Sequence, residues 1–192
     1  MCRPHVNQLS VRARNWGFRE MIKIMTPIID GVTSRLNIGD SIEIFGRIFT
    51  GRDAVLPVLK EKIERGELGG LVPKLQGSII MHAGFSVAGF GPTTSNKESI
   101  EGSIETLAKA GVKIHIGKGA LSETTIKSLN RFNSIYAVTP PITALLMEKV
   151  KSAKVIAFEH EGMEALHEIE VEGLPAIVAV AHGRTIYSQD VG

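Results

Sequence analysis

Cysteine is almost absent from this chain: among 192 residues only Cys2 carries a thiol. No disulfide can form within the chain, and no iron–sulfur cluster can be held by its own cysteines. That usage agrees with a reducing cytoplasm. Long apolar runs are missing too. None approaches the roughly 18 residues that a membrane-spanning helix needs, so no membrane partner is expected. A strong charge of one sign is also lacking. The net charge is +2, and Arg3, Arg12, Arg14 and Arg19 against Glu20 already supply a surplus of three, which leaves the remaining residues at −1. The pI of about 8.7 therefore reflects the first 20 residues, and no nucleic-acid surface is expected. Metal-ligand spacing fails as well. His160-Glu161 and His167 have the wrong interval for a zinc-protease helix. Glu164 and His167 stand at i, i+3, as in half a di-iron site, but no second copy occurs. No metal is assigned to this chain.

What remains is 43% hydrophobic and 22% charged, with a mean hydropathy of +0.11, enough for one globular domain with a full core. Residues 1–25 read as a poorly ordered basic arm, or an over-extended start with Met21 and Met25 available, and 26–192 as the domain. Ser41 to Phe45 alternates as a strand does, continuing at Ile48 and Phe49. Asp53 is a candidate N-cap for a helix with a Val55, Leu59, Ile63 stripe. Ser78–Ala83 reads as a buried strand, Lys97–Ala110 as a helix closed by Gly111, and Val112–Ile116 as a strand. Ser122 caps a further helix. Strands are predicted at 134–138, 155–158, 169–172 and 176–180, with a helix from Pro140 through Val150. The alternation predicts an α/β fold with a mostly parallel central sheet and flanking β strands.

Three segments carry chemistry: Gly51-Arg52-Asp53, the stretch Gly89 to Ser95 with Lys97, and Gly117-Lys118-Gly119. The second reads as a tight turn whose hydroxyl residues open a helix, a natural seat for an anion; an ordinary loop and N-cap fit the same residues. Open α/β sheets gather ligands at the carboxyl ends of their strands, so the three segments can converge. Arg52, Lys97 and Lys118 beside hydroxyls suit an acidic substrate, guanidinium by a two-bond grip and ammonium as a point charge. Each could equally be a solvated surface cation. A nucleotide P-loop is excluded: five residues separate Gly111 from Gly117 where four are required, and Gly119 stands where Ser or Thr is needed.

In order, GRIFTGRDAV (46–55), GFGPTTS (89–95), IGKGALSETT (116–125) and EGMEALHEIEVEGLPAIVAV (161–180) resemble the C-terminal domain, or separate β subunit, of class I iron–sulfur fumarate hydratases and tartrate dehydratases. The resemblance covers roughly residues 36–187. It implies a single swivelling β/β/α domain and a cysteine-bearing α-subunit partner that holds a [4Fe-4S] cluster. It also implies reversible hydration of fumarate, a small dicarboxylate of the tricarboxylic acid cycle, to malate. By the same resemblance Thr93 is the catalytic base and Arg52, Lys97 and Lys118 bind substrate. Gly91, Pro92, Thr94, Ser95, Gly117 and Gly119 shape the supporting loops. Tartrate or another hydroxy-diacid is the alternative substrate, and a non-catalytic anion-binding or assembly module the alternative class; a higher hetero-oligomer or a homo-oligomer remains open. The chain departs from the family pattern at Lys97 (usually Arg), Glu98-Ser99 (usually Met-Asp), Leu56 (usually His) and Pro140-Pro141-Ile142-Thr143 (usually Gly-rich).

Overall fold

The alternating stretch around Ile42 and Ile44 forms the strand on which the sheet is assembled. The computed structural model describes residues 21–67, 72–93, 97–140 and 143–187. In chain order the elements are β1 (Ile22–Met25), a 3-10 turn (Thr33–Arg35), β2 (Ser41–Thr50), α1 (Leu56–Glu64), α2 (Val72–Leu75), β3 (Ile79–Met81), β4 (Ala83–Ser86) and β5 (Gly89–Thr93). They continue with α3 (Lys97–Lys109), β6 (Ile114–Gly117), α4 (Glu123–Arg131), β7 (Ile135–Val138), α5 (Thr143–Glu148), β8 (Val150–Ala157), a 3-10 segment (Glu159–Glu164), β9 (Leu166–Ala181) and β10 (Arg184–Thr185).

The result is a mixed α/β fold with a sheet-dominated core and few helices. Strands β1, β2, β3, β6 and β7 pair in parallel in that order. Strand β9 runs antiparallel to β2, β7, β8 and β10. Because β9 bonds both β2 and β7, the circuit β2–β3–β6–β7–β9 closes on itself, which leaves those strands few free edges. Period-2 alternation then sorts their side chains. Ile42, Ile44, Ile48, Ile79, Met81, Ile114, Ile116, Ile135, Ala137 and Ile169 share one buried cluster. Their alternates Phe49 and Ile80 pack instead with Leu56 and Leu59 of α1 and Leu107 of α3, and Tyr136 with Ile126 and Leu129 of α4. Leu59 and Ile80 are fully buried, which contributes about 1.5–3 kcal/mol per aliphatic side chain.

Several expected boundaries move. The first helix starts at Leu56 with Val55 as N-cap, not Asp53. With Asp53 as cap, Pro57 would fall where the first intrahelical N–H is required; from Val55 it sits in the first turn, where that donor is not needed. Residues 22–25, placed in the arm by the sequence, form β1 beside β2; residues 1–20 lie outside the described residues. The predicted strand 78–83 divides at His82: β4 turns away to pair with β5 in a separate two-stranded sheet. Gly89 to Thr93 is therefore strand rather than turn, and the reversal falls at Val87-Ala88. There the Ser86 hydroxyl accepts from the Ala88 N–H at 3.2 Å and donates to the Gly89 carbonyl at 3.3 Å. The predicted strands 169–172 and 176–180 are one strand. Gly173, at φ +72°, is the extra residue of a β-bulge opposite Ile44 and Phe45, so the Gly-Leu-Pro stretch bends the strand without ending it. Strand β8 begins at Val150, five residues before the predicted Val155; its one-sided pairing with β9 leaves much of it exposed, so it shows no apolar alternation. Ser122 does cap α4, its side chain accepting from the Thr125 N–H.

Candidate functional site

Parallel pairing brings the carboxyl ends of β2, β3, β6 and β7 to one edge of the sheet. The Gly51 N–H donates to the Met81 carbonyl at 3.1 Å, and the His82 N–H to the Ile116 carbonyl at 2.8 Å. Gly51-Arg52 and Gly117-Lys118 thus leave the same edge with only β3 between them, about 10 Å apart at the usual strand spacing. The β4–β5 hairpin rises from that edge too, and Thr93 is the cross-strand partner of Ala83. The backbones of Arg52, Thr93 and Lys118 are thereby gathered at one place. The backbones of Gly91 and Pro92 lie in β5 and that of Lys97 opens α3. The side chains of Gly91, Pro92, Thr93 and Lys97 lie outside the described residues, as do Thr94 and Ser95 entirely.

Arg52 is braced. Its carbonyl accepts from the N–H groups of Val55 (3.1 Å) and Leu56 (2.9 Å), which closes the turn into α1. Its Nη1 lies 3.5 Å from Oε1 of Glu164, the side chains being 22% and 31% exposed. Glu164 Oε2 accepts from the Ala54 N–H at 3.3 Å. The aliphatic stem runs past Gly84, where an added Cβ would stand 3.4 Å from Arg52 Cδ and 3.0 Å from the Met163 carbonyl oxygen. Arg52 Nε is buried without a partner among the described residues. Lys118, by contrast, is exposed and followed by Gly119 at φ +80°.

Beneath this edge lie two fully buried histidines. His82 Nε2 and His115 Nδ1 are 3.3 Å apart, so one of them donates a proton to the other. Their outer nitrogens, His82 Nδ1 and His115 Nε2, have no partner among the described residues, and neither does the hydroxyl of buried Tyr136, the register partner of His115. Burial lowers the His82 pKa from 6.5 to about 4. His115 is also held well below the usual imidazole range, by burial first and then by the charge of His82; burial raises Tyr136. The pair is neutral at ordinary pH. Sequence reasoning passed over His82, His115, Glu164 as a partner of Arg52, and Gly84. The two histidines did carry a signal, each set in an otherwise apolar stretch: His82 directly after Ile79–Met81 and His115 between Ile114 and Ile116.

Among the described residues no three of His, Cys, Asp and Glu gather as a metal site requires, and Cys2 lies outside them. These residues do not fit an iron–sulfur cluster. No helix among them is long and apolar enough to cross a membrane. A half-buried guanidinium and an exposed ammonium leave this edge, with the backbone of the Thr93 strand end beside them; cations of these kinds suit an anion.

The Fumarase C-terminus family matches residues 4–190, and the chain belongs to that family. It is 31% identical over 169 residues to a Methanocaldococcus jannaschii protein provisionally named L(+)-tartrate dehydratase subunit beta, covering 81% of this chain and 85% of that one. It is 30% identical over 176 residues to L(+)-tartrate dehydratase subunit beta of Shigella boydii, covering 85% and 79% respectively. It is 27% identical over 157 residues to the aerobic class I fumarate hydratase of Escherichia coli K12, covering 77% of this chain but 28% of that one. The chain spans about a third or less of the length of the fumarate hydratases it matches.

Proposed function

We propose that this chain is the β subunit of a two-subunit hydro-lyase, a single swivelling domain that takes in β1 as well as residues 26–192 and supplies carboxylate clamps to a shared active site, with fumarate and malate as the substrate pair. The observation that carries this reading is the Arg52 turn: a half-buried guanidinium, held from behind by Glu164, at the edge from which Lys118 and the Thr93 strand also emerge. Removing a proton from carbon next to a carboxylate builds charge on that carboxylate, and preorganised cations lower the barrier. Arg52 and Lys118 perform that role, with Lys97 as a third cation. Thr93 is the base; an alcohol serves as one only where neighbours depress its pKa. The [4Fe-4S] cluster belongs to the cysteine-bearing partner, where it supplies Lewis acidity; the residues described above act on the substrate's carboxylates.

Tartrate dehydration is the second reading, favoured by the near-full-length match to two tartrate dehydratase β subunits. Anaerobic co-expression with a partner chain that bears three cluster cysteines, followed by assays on fumarate and L(+)-tartrate, separates the two. Oxygen-sensitive turnover that requires both chains is the expected result. Turnover by this chain alone, or a cluster-loaded complex inactive on both diacids, overturns the proposal.

A further inference from the structure

We infer that Glu164 is the positioning residue that aims the Arg52 guanidinium at the ligand, an inference that rests on the proposed role of Arg52 as a carboxylate clamp. Three observations meet at this carboxylate. One oxygen lies 3.5 Å from Arg52 Nη1. The other accepts the Ala54 N–H, so it is tied to the very turn that carries Arg52. The 3-10 segment bearing Glu164 is seated by close approach: the Met163 carbonyl lies so near Gly84 that a Cβ there would stand 3.0 Å from its oxygen. The segment is bent at Gly162, φ +57°, a conformation that glycine adopts at little cost.

A free arginine side chain samples many rotamers, and a two-bond grip on a carboxylate requires the guanidinium plane to be set. The contact to Nη1 restrains the guanidinium's rotation, and with Nε buried the grip on a ligand falls to the terminal nitrogens. The Ala54 bond keeps Glu164 from swinging away with the substrate, and the Gly84 gap keeps the segment against the β4–β5 hairpin. The arrangement is preorganisation: the ordering cost of Arg52 is met on folding and not on binding. Glu164 touches Arg52 and the backbone, so it acts through Arg52.

The test uses the full chain labelled with 15N, with the Arg52 guanidinium resonances assigned by their loss in Arg52→Lys. Rotation of the guanidinium is expected to be slow in the wild type and fast in Glu164→Ala. Glu164→Gln keeps one accepting oxygen, enough for the Ala54 N–H or the guanidinium but not for both, and is expected to fall between them. If Glu164→Ala does not fold, the wild type against Glu164→Gln carries the comparison. Equal rotation rates in the wild type and the folded variants overturn the inference whatever the enzyme does. In the reconstituted complex, Glu164→Ala is expected to raise KM for the diacid about tenfold while kcat falls less than about threefold, with Glu164→Gln recovering part of the loss. Unchanged KM with a lowered Tm would make Glu164 merely structural and also overturn it. A wild-type complex inactive on both diacids sinks the enzyme reading alone, because the rotation measurement stands without turnover.

Discussion

The turn after β2 and the turn after β6 each lift a cation off the same sheet edge, but they are built differently. Arg52 is half-buried, its carbonyl tied into α1 and its guanidinium backed by Glu164. Lys118 stands exposed on a turn finished by Gly119 at φ +80°. One cation is held by this chain's own contacts; the other stands exposed, with freedom that a ligand or partner would have to remove. Preorganised groups contribute more per contact, so the two cations are expected to differ in weight as well as in position.

The largest expected effect breaks the comparison directly. In the reconstituted complex Arg52→Ala should lower kcat/KM about 100-fold and Lys118→Ala about tenfold. Arg52→Ala should also cost about 1 kcal/mol of stability by leaving Glu164 without its partner, while Lys118→Ala stays within about 0.5 kcal/mol. Equal losses for the two variants, measured by steady-state kinetics and urea unfolding, would erase the distinction.

Next in size is the layer below both turns. Above pH 6.5 the His82 imidazole is neutral in the folded and unfolded chain alike. As pH falls below that value, the unfolded chain takes up a proton that the buried ring refuses until about pH 4. Stability is therefore lost as pH falls through this window, by about 3 kcal/mol for His82 alone, and the direction for His115 is the same. Urea unfolding at a series of pH values checks the slope, and His82→Gln should flatten it. A wild-type stability independent of pH between 7 and 4.5 would contradict a buried neutral pair.

A smaller effect sharpens the support of the Lys118 turn. A Cβ on Gly117 would stand 2.6 Å from the Tyr136 hydroxyl oxygen, so Gly117→Ala should cost about 2 kcal/mol by overpacking. Adding Tyr136→Phe removes the opposing atom, itself buried without a partner, and should restore most of the loss in urea unfolding. An unimproved double variant would assign the cost to the backbone instead.

Much of this edge was legible in the sequence because its signals are local. The motif around Arg52, the Gly117-Lys118-Gly119 turn and the Ser122 cap are read within a few residues, where turn and cap chemistry acts. Other features were not. The Gly89–Thr93 stretch carries turn residues, but its pairing with β4 makes it strand. Strand β9 runs through Gly173 and Pro175 because β2 holds it along nearly its whole length, and one bulge absorbs the irregularity. Polar β8 is a strand only because β9 offers it an edge.

By itself the sequence determined the α/β alternation, the apolar faces, the family and the cation-bearing segments, since all of these follow from residue type and short-range spacing. Only the tertiary structure decided what those segments meet. Glu164 lies 110 residues from Ala54, whose N–H its carboxylate accepts, and His115 lies 33 residues from His82. No local preference records such contacts. The first exists because β9, which follows Glu164, pairs with β2, and the second because β3 and β6 pair in parallel; both rest on long-range strand pairing.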